Sequence, residues 1–284
     1  MTEQIGKLMQ CFGRLVQRSQ QAELDFNDYS NFLAFDVISD YSFGKSFGFL
    51  DKERDDLNLI ATVDARGEVL NALGHLPNFL RPAMKYFVFD QFWPNGLKAT
   101  SSLASIGSTA YHERKGQDTD RKDLLSFLFN AKDPDTGSPL SENEIIAESI
   151  SFIVGGSDTT STTMTNVVDI LSRAPEIQRQ LQEELDSYFS GPLADDWVAD
   201  FQIVNQLPVL NAVLRETMRF KPTSSTGLER VTPVGGKTIS GTYIPEGKTP
   251  DRFDISRWQD GDSSKLLDSF YPFSLGPRAC IGRK

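Results

Sequence analysis

The segment from Phe273 to Gly282 restricts the possible folds of this chain more than any other part. It reads Phe-Ser-Leu-Gly-Pro-Arg-Ala-Cys-Ile-Gly and places Cys280 between two glycines, Gly276 and Gly282. Glycine has no Cβ and tolerates positive φ, so such a loop can bring its backbone close to a flat group. The pattern predicts a cysteine thiolate that is ready to bind a metal. A buried cysteine in an ordinary turn is the alternative for a single Cys residue.

Two further side chains of this segment suit a metal-bound sulfur. Arg278 supplies a positive charge that favours a thiolate, and Phe273 supplies an apolar wall that limits solvent. The pattern Phe-x-x-Gly-x-Arg-x-Cys-x-Gly is the cysteine signature of the cytochrome P450 superfamily, which the chain resembles at every motif position. The resemblance implies a haem (iron protoporphyrin) whose iron takes Cys280 as its axial ligand. It also implies that Phe273, Gly276, Arg278 and Gly282 bind this cofactor.

Composition argues against several other classes of protein. The chain has 284 residues, of which 39% are hydrophobic, and its net charge of −10 argues against nucleic acid as a partner. The two cysteines, Cys11 and Cys280, make no disulfide framework, and His75 and His112 are too scattered for a histidine metal site. No run of about 18 apolar residues is present, so the sequence predicts no membrane-spanning helix.

Hydrophobic periodicity and capping signals predict a mainly α fold with a minor β-sheet. The strongest predicted helices cover residues 26–43, 123–130, about 142–172, 175–189 and 207–220. Ser141 and Glu144 have the spacing of a capping box at the start of the longest one. Residues 231–244 are rich in glycine and β-branched side chains, which predicts short strands. By resemblance, residues 1–284 form a single, incomplete cytochrome P450 domain.

The segment Gly155–Thr160 is unusual for the middle of a long helix. Its two glycines cost roughly 1 kcal/mol each relative to alanine, and the Thr159 hydroxyl can bond the carbonyl of Gly155. One interpretation is a close helix–helix crossing with Asp158 in a salt bridge. The segment also resembles the family signature Ala/Gly-Gly-x-Asp/Glu-Thr-Thr/Ser in the helix over the haem. That resemblance implies that Gly155 and Gly156 face the cofactor, and that Asp158 and Thr159 relay protons.

Glu216 and Arg219 lie three residues apart on a predicted helix and therefore share one face. Alone, this pattern predicts a surface pair worth only about 0.2–0.5 kcal/mol. In the family a second arginine, from a Phe-x-Pro-Glu-Arg-Trp stretch, joins the pair. Residues 253–258 resemble that stretch, although its proline and glutamate are replaced, so the resemblance implies a buried Glu216–Arg219–Arg257 scaffold under the cysteine loop. Arg230 is a candidate propionate partner, with a solvated arginine as the alternative.

The resemblance also implies an activity. It is that of a haem-dependent monooxygenase that hydroxylates a small or medium lipophilic substrate with O2. Electrons come from NADPH through an NADPH–cytochrome reductase partner. By family position, Phe152, Val154 and residues 224–228 line the substrate pocket. The aromatic residues of 76–93 predict ordinary packing, with an apolar channel or a membrane-facing lip as the alternative.

The resemblance covers nearly the whole chain but only part of the family fold. The segments 26–36 and 43–48 resemble filamentous-fungal members, especially the benzoate para-hydroxylase type. The family's N-terminal anchor, early helices and first strands have no counterpart before Met1. A strand and a short helix are lacking near residues 247–251, and the chain stops at Lys284, where the next helix begins in the family. We therefore expect a truncated or spliced member, or an incomplete gene model, with impaired activity.

Two other functions stay open from the sequence. A haem-thiolate isomerase or dehydratase of the same fold needs no external electrons, although Asp158 and Thr159 favour oxygen activation over it. A catalytically impaired remnant with at most a binding role is favoured by the missing segments. For full-length members the resemblance implies the cytosolic face of the endoplasmic reticulum membrane. Without the anchor, we expect this chain to be soluble.

Overall fold

A computed structural model shows that helices dominate the part of the chain it describes. The described residues are 1–18, 23–84, 86, 90–191, 193–194, 196–224, 253, 255–259, 267–268 and 270–283. In chain order the helices are α1 (Thr2–Arg18), α2 (Phe26–Phe43), α3 (Phe49–Lys52), α4 (Leu59–His75), α5 (Arg81–Met84), α6 (Phe92–Lys115), α7 (Leu124–Leu128), α8 (Glu142–Arg173), α9 (Pro175–Tyr188), α10 (Phe201–Val204) and α11 (Pro208–Phe220). Short 3-10 turns cover Ile255–Trp258, Gly276–Arg278 and Ile281–Arg283.

The mainly α prediction is confirmed. Helices α2, α8, α9 and α11 begin and end within about one residue of their predicted bounds. In the described ranges the β structure is an isolated bridge between Lys132 and Pro139. The strands predicted over 231–244 lie outside the described residues. Among the helices that are described, none combines the length and apolar character that crossing a membrane requires.

Local side-chain hydrogen bonds set the ends of the two helices that matter most here. Helix α2 begins where the Asp25 carboxylate accepts the N–H of Asn27 at 2.9 Å, and it ends at Gly44 with a φ of 73°. Only glycine adopts that left-handed conformation without strain. Helix α8 begins at the predicted capping box, because the N–H of Ser141 donates to Glu144 Oε2 at 2.7 Å.

The described chain divides into two compact units. Unit 1 contains Met1–Thr165 and Gly191–Val198, and unit 2 contains Asn166–Ser190 and Ala199–Lys284. The core of unit 1 is built mainly from phenylalanine and leucine side chains of α2, α3, α4, α6 and α7, together with the first half of α8. Its most deeply buried members are Phe35, Phe49, Leu50, Leu59, Leu103, Leu125 and Ile153.

A buried carboxylate joins two helices of unit 1. Asp36, on α2, is fully buried and accepts the backbone N–H groups of Gly48, Phe49 and Leu50 at 2.7, 3.1 and 2.9 Å. These groups form the N-terminus of α3, where a helix leaves its first N–H groups unpaired. The carboxylate therefore finds its hydrogen-bond donors in the backbone of the next segment. Asp36 therefore orders the chain that leaves α2.

Unit 2 has a smaller core. Among its described residues, the buried members of the largest apolar cluster are Ala212, Val213, Ile255 and Trp258, which bring α11 against the turn Ile255–Trp258. Helix α9 supports α11 through Glu184, whose carboxylate accepts the N–H groups of Val209 and Leu210 at 2.8 and 2.9 Å. Polar contacts thus hold α9 and α11 together.

Candidate active site

The cysteine loop of unit 2 is closed by its own backbone. The N–H of Cys280 donates to the carbonyl of Phe273 at 2.8 Å. Gly276 has a φ of 67° and Ser274 a φ of 60°, so the turn contains two left-handed residues. A Cβ added to Gly276 would meet nothing within 4 Å. The glycine is therefore required by the backbone conformation and not by a lack of space.

The thiol of Cys280 is accessible, which excludes a buried structural cysteine. In the described part of the loop its Sγ lies beside Gly282, where an added Cβ would be 3.7 Å away. Leu275 and Ile281 are 52% and 88% exposed, and Phe273 is also exposed. An open thiol bordered by glycine and apolar side chains fits a haem bound through a thiolate. The side chain of Arg278 and the whole of Arg230 lie outside the described residues.

The centre of α8 has two different faces. Ile153, Ser157 and Ser161 are buried, and Ser157 Oγ donates to the carbonyl of Ile153 at 2.6 Å. On the other face Asp158 and Thr159 are exposed. The buried serines were not singled out by sequence analysis. The signal that finds them is their spacing of four residues along a helix, which places them on one face with Ile153.

The predicted contact of Thr159 is present. Its Oγ1 donates to the carbonyl of Gly155 at 2.9 Å, and Thr163 Oγ1 makes the same bond to the carbonyl of Thr159 at 2.9 Å. Gly155 itself faces open space, since an added Cβ would meet nothing within 4 Å. The open face of α8 therefore presents a carboxyl group and a hydroxyl beside an unhindered stretch of backbone.

Gly156 has a different environment from Gly155. A Cβ added to Gly156 would lie 2.5 Å from two atoms of the Ile38 side chain on α2. The close helix crossing that sequence analysis gave as the alternative therefore accounts for Gly156, and its role at the cofactor stays a prediction. Two adjacent glycines of one motif point in directions about 100° apart on the helix, so they cannot serve the same purpose.

Asp158 forms no ion pair with any described residue. The salt bridge that belonged to the helix-crossing interpretation is therefore absent there. Its partial removal from water raises the pKa of the carboxyl group. Asp64, on α4, is a second carboxyl group that sequence analysis missed. Desolvation raises its pKa first, and the negative charges of Asp158 and Glu68 raise it further. Both carboxyl groups therefore release their protons at a higher pH than an ordinary aspartate does.

The predicted three-residue cluster of unit 2 is assembled around a fully buried carboxylate. Arg219 donates to both oxygens of Glu216, with its Nε 2.8 Å from Oε2 and one terminal nitrogen 2.7 Å from Oε1. Arg257 Nε lies 3.4 Å from Oε1 as an ion pair. Since Glu216 has no exposed surface, the alternative of a surface pair is wrong.

Trp258 is a fourth member of this cluster that sequence analysis did not assign. Its indole Nε1 donates to Glu216 Oε2 at 2.9 Å, in a buried position. Tryptophan presents one donor on a large apolar ring, so it can satisfy a buried carboxylate while filling the core. In the sequence the indole directly follows Arg257, which places it near the cluster but does not specify Glu216 as its partner.

The residues expected to line a substrate pocket are only partly described. Phe152 and Val154 are half-buried on α8, and Val154 packs against the core of unit 1. Ser224 is exposed, whereas residues 225–228 lie outside the described residues. In the aromatic segment 76–93, Phe79 and Tyr86 are largely exposed, so the prediction of ordinary packing is wrong for these two.

Comparison with known proteins extends over almost the whole chain. It is 34% identical over 303 residues to the benzoate 4-monooxygenase bphA of Aspergillus niger, covering 92% of this chain and 57% of that protein. It is 28% identical over 297 residues to the cytochrome P450 monooxygenase traB of Penicillium crustosum, covering 95% of this chain and 56% of that protein. The chain thus spans a little over half the length of these relatives.

Comparisons with solved structures and with a family model indicate the same family as these relatives do. The crystal structure of the cytochrome P450DA heme domain superposes with a TM-score of 0.69 at 25% identity, covering 99% of this chain and 62% of that one. A cytochrome P450 named CYP102L1 shares the fold, with a TM-score of 0.71 at 20% identity. The family model named Cytochrome P450 matches residues 1–249 and 248–284 in two parts. The chain therefore belongs to the cytochrome P450 family.

Proposed function

We propose that this protein is a haem-dependent monooxygenase that hydroxylates a small or medium lipophilic molecule. The observation that most supports the proposal is the accessible thiol of Cys280, at the tip of a loop closed by its own backbone. In the part of the chain that the structure describes, no cluster of His, Cys, Asp and Glu side chains could hold a metal, so the sulfur of Cys280 is the ligand that this loop offers. A thiolate in this position is the ligand that cytochrome P450 haem requires.

Cys280 would hold the haem iron, with Phe273, Leu275 and Ile281 as apolar neighbours and Gly276 shaping the turn. When bound, a thiolate-ligated haem supplies the activation of O2. The chain's own residues supply protons, which the reduction of one oxygen atom to water consumes. Asp158, whose pKa is raised by desolvation, holds a proton on its carboxyl group to a higher pH than an ordinary aspartate.

Thr159 is the second member of the proposed relay. Its hydroxyl now donates to the carbonyl of Gly155, and its oxygen lone pairs stay available to accept a proton. A hydroxyl that accepts from one neighbour and donates to another can pass a proton on without carrying a net charge. Gly155, which has open space before it, leaves room for a small ligand or a water next to this hydroxyl.

The substrate class follows from the similarity to bphA, whose name specifies benzoate as its substrate. We propose an aromatic acid or a related small aromatic molecule as the first substrate to test. The proposed partners are O2 and a reductase that supplies electrons from NADPH. For the full-length protein, the proposed location is the cytosolic face of the endoplasmic reticulum membrane.

The carbon-monoxide difference spectrum of the reduced protein tests the proposal. We expect a thiolate-type Soret band in the unaltered chain and its loss in Cys280→Ser. Cys11→Ser is the matched control. Cys11 is buried on α1, where its Sγ donates to the carbonyl of Leu50 and accepts from Arg14, and a hydroxyl can make both hydrogen bonds. Haem uptake that survives in Cys280→Ser with an unchanged spectrum contradicts the proposal, as does a failure of the unaltered chain to take up haem.

A further inference from the structure

Unit 1 contains a half-open cavity of about 320 Å³ that none of the residues proposed for haem chemistry lines. We infer that this cavity is a second small-molecule site, which takes a neutral aromatic ligand of one or two rings that carries a hydroxyl group. The volume is near the lower end of the roughly 300–1,000 Å³ range of ligand pockets. The cavity lies between the C-terminal end of α2, the segment that follows it, and one face of α6.

The apolar floor of the cavity is formed in advance by packed rings. Phe43, Phe47, Leu57, Ile106 and Ala110 line it. The rings of Phe43 and Phe47 have centroids 6.2 Å apart, and Phe47 stacks on buried Phe49 at 5.6 Å. Aromatic rings held in such contacts present a flat surface to a further ring at little cost in side-chain entropy.

Backbone hydrogen bonds hold the segment that carries Phe47 in place. The N–H of Phe47 donates to buried Ser39 Oγ at 3.0 Å, and the N–H of Gly48 donates to the carboxylate of Asp36 at 2.7 Å. Gly44 turns the chain at the end of α2, where an added Cβ would lie 2.9 Å from Asp123 Oδ2. The cavity wall is therefore fixed by buried partners and does not depend on exposed side chains.

One wall of the cavity is polar. Ser105, Thr109 and Glu113 lie four residues apart along α6, so their side chains form one stripe beside Ile106 and Ala110. Within the described residues, the hydroxyls of Ser105 and Thr109 make no hydrogen bond to the protein. A ligand with a polar group on an aromatic ring can therefore place the ring on the floor and the polar group against this wall.

The charged side chains at the mouth of the cavity favour a neutral ligand over an ion. Lys45 Nζ lies 3.9 Å from Glu113 Oε2, which is too long for a hydrogen bond. Arg114 is committed elsewhere, because its Nε donates to buried Asp123 at 2.6 Å and a terminal nitrogen donates to the carbonyl of Arg121 at 3.1 Å. Of the charged side chains that line the cavity, Lys45 is thus left as a donor and Glu113 as an acceptor. A hydroxyl can accept from Lys45 and donate to Glu113, whereas an anion is repelled by Glu113 and a cation by Lys45.

Calorimetric titration with 2-naphthol, a neutral hydroxyl-bearing molecule of two rings, tests the inference. We expect saturable binding that Ala110→Phe weakens by about tenfold or more, because the new ring occupies the floor. Ala104→Phe is the matched control, since Ala104 is exposed on the same helix and does not line the cavity. No saturable binding, or equal weakening by both variants, overturns the inference. Binding that Ala110→Phe leaves unchanged also overturns it, because the ligand then occupies another pocket.

A second variant removes the acceptor and leaves the floor intact. Glu113 is exposed, so Glu113→Ala is expected to fold normally. This variant should weaken the binding of 2-naphthol by about tenfold, which is the effect of losing one hydrogen bond to a charged group. The same variant should leave the affinity for 2-methoxynaphthalene unchanged, since that molecule has no hydroxyl group that could donate a hydrogen bond. Equal effects on both molecules, or no effect on either, contradict the proposed role of Glu113 and with it the ligand class.

Discussion

Asp158 and Asp169 occupy one helix, α8, and show how neighbours decide the chemistry of identical side chains. Partial desolvation raises the pKa of Asp158. Hydrogen bonds from Lys221 and Arg173 lower the pKa of Asp169, with Lys221 Nζ 2.7 Å from its carboxylate. The first residue is therefore suited to holding a proton, and the second to holding a negative charge.

These opposite shifts predict opposite effects on stability. A carboxyl group with a raised folded-state pKa loses stabilisation as the pH rises through that value, so Asp158→Asn should raise the urea midpoint near neutral pH. Asp169→Asn should lower it there, because a group with a lowered pKa contributes stability above its unfolded value. The Asp158→Asn difference should disappear as the pH falls through the raised pKa toward about 3.9, whereas the Asp169→Asn difference should persist there and disappear only at lower pH. Changes of the same sign near neutral pH would contradict the assigned environments.

The proposed role of the Thr159 hydroxyl in proton transfer can be distinguished from its hydrogen bond within the helix, because a neighbouring threonine makes the same kind of bond. We expect Thr159→Ala to reduce hydroxylation by about 10²-fold, in the range of lost acid–base catalysis. Thr163→Ala, which removes the equivalent bond one turn later, should retain most of the rate. The thiolate-type spectrum should be unchanged in both. Equal losses of turnover would assign Thr159 a helical role instead of a proton-relay role.

At the scale of elements, glycine determines how closely the helices of unit 1 approach each other. Gly107 on α6 faces Ile150 of α8, where an added Cβ would be 2.7 Å from a side-chain carbon, and Gly156 on α8 faces Ile38 of α2. The two contacts lie on different turns of α8 and bring two helices against it. Gly155, the neighbour of Gly156, makes no such contact.

The adjacent glycines therefore predict a sharp contrast between two alanine variants. Gly156→Ala should destabilise the protein by about 1–3 kcal/mol, because the new methyl group overlaps Ile38. Gly155→Ala should be neutral or stabilising by up to about 1 kcal/mol, because alanine is the better helix former. Urea unfolding measures both values. The double variant Ile38→Ala with Gly156→Ala should lose less than the sum of its parts, and strict additivity would show that the two side chains do not collide.

At the scale of the molecule, the two units rely on different interactions. Within the described residues, unit 1 has a large apolar core cluster, whereas the cluster around α11 and the turn Ile255–Trp258 of unit 2 has four buried members. In unit 2 the buried carboxylate of Glu216 adds to this small cluster, because it holds Arg219, Arg257 and Trp258 together. Charges of this kind stabilise a fold only while every partner is present.

Glu216→Gln should consequently destabilise unit 2 by about 3–5 kcal/mol, since it leaves two arginines without their buried countercharge. Trp258→Phe should cost about 1–3 kcal/mol, because it removes one donor and keeps most of the ring volume. Glu176→Gln is the matched control: Glu176 pairs with Arg179 at the same spacing but on an exposed surface, so its loss should shift the urea midpoint far less than Glu216→Gln does. Unfolding in urea distinguishes the three, and equal effects for Glu216 and Glu176 would contradict the role of burial.

The sequence by itself determined the main helices and the family, and it supplied the candidate site residues. Capping residues and prolines act on their own neighbours, so the bounds of α8 and α11 and the bond from Thr159 to Gly155 follow from local rules. Only the tertiary structure decided that Gly156 packs on Ile38, that Trp258 joins Glu216, and that Asp64 shares the environment of Asp158. Each of these contacts joins residues far apart in the chain. No local pattern specifies such a pair, because its distance depends on how whole helices pack.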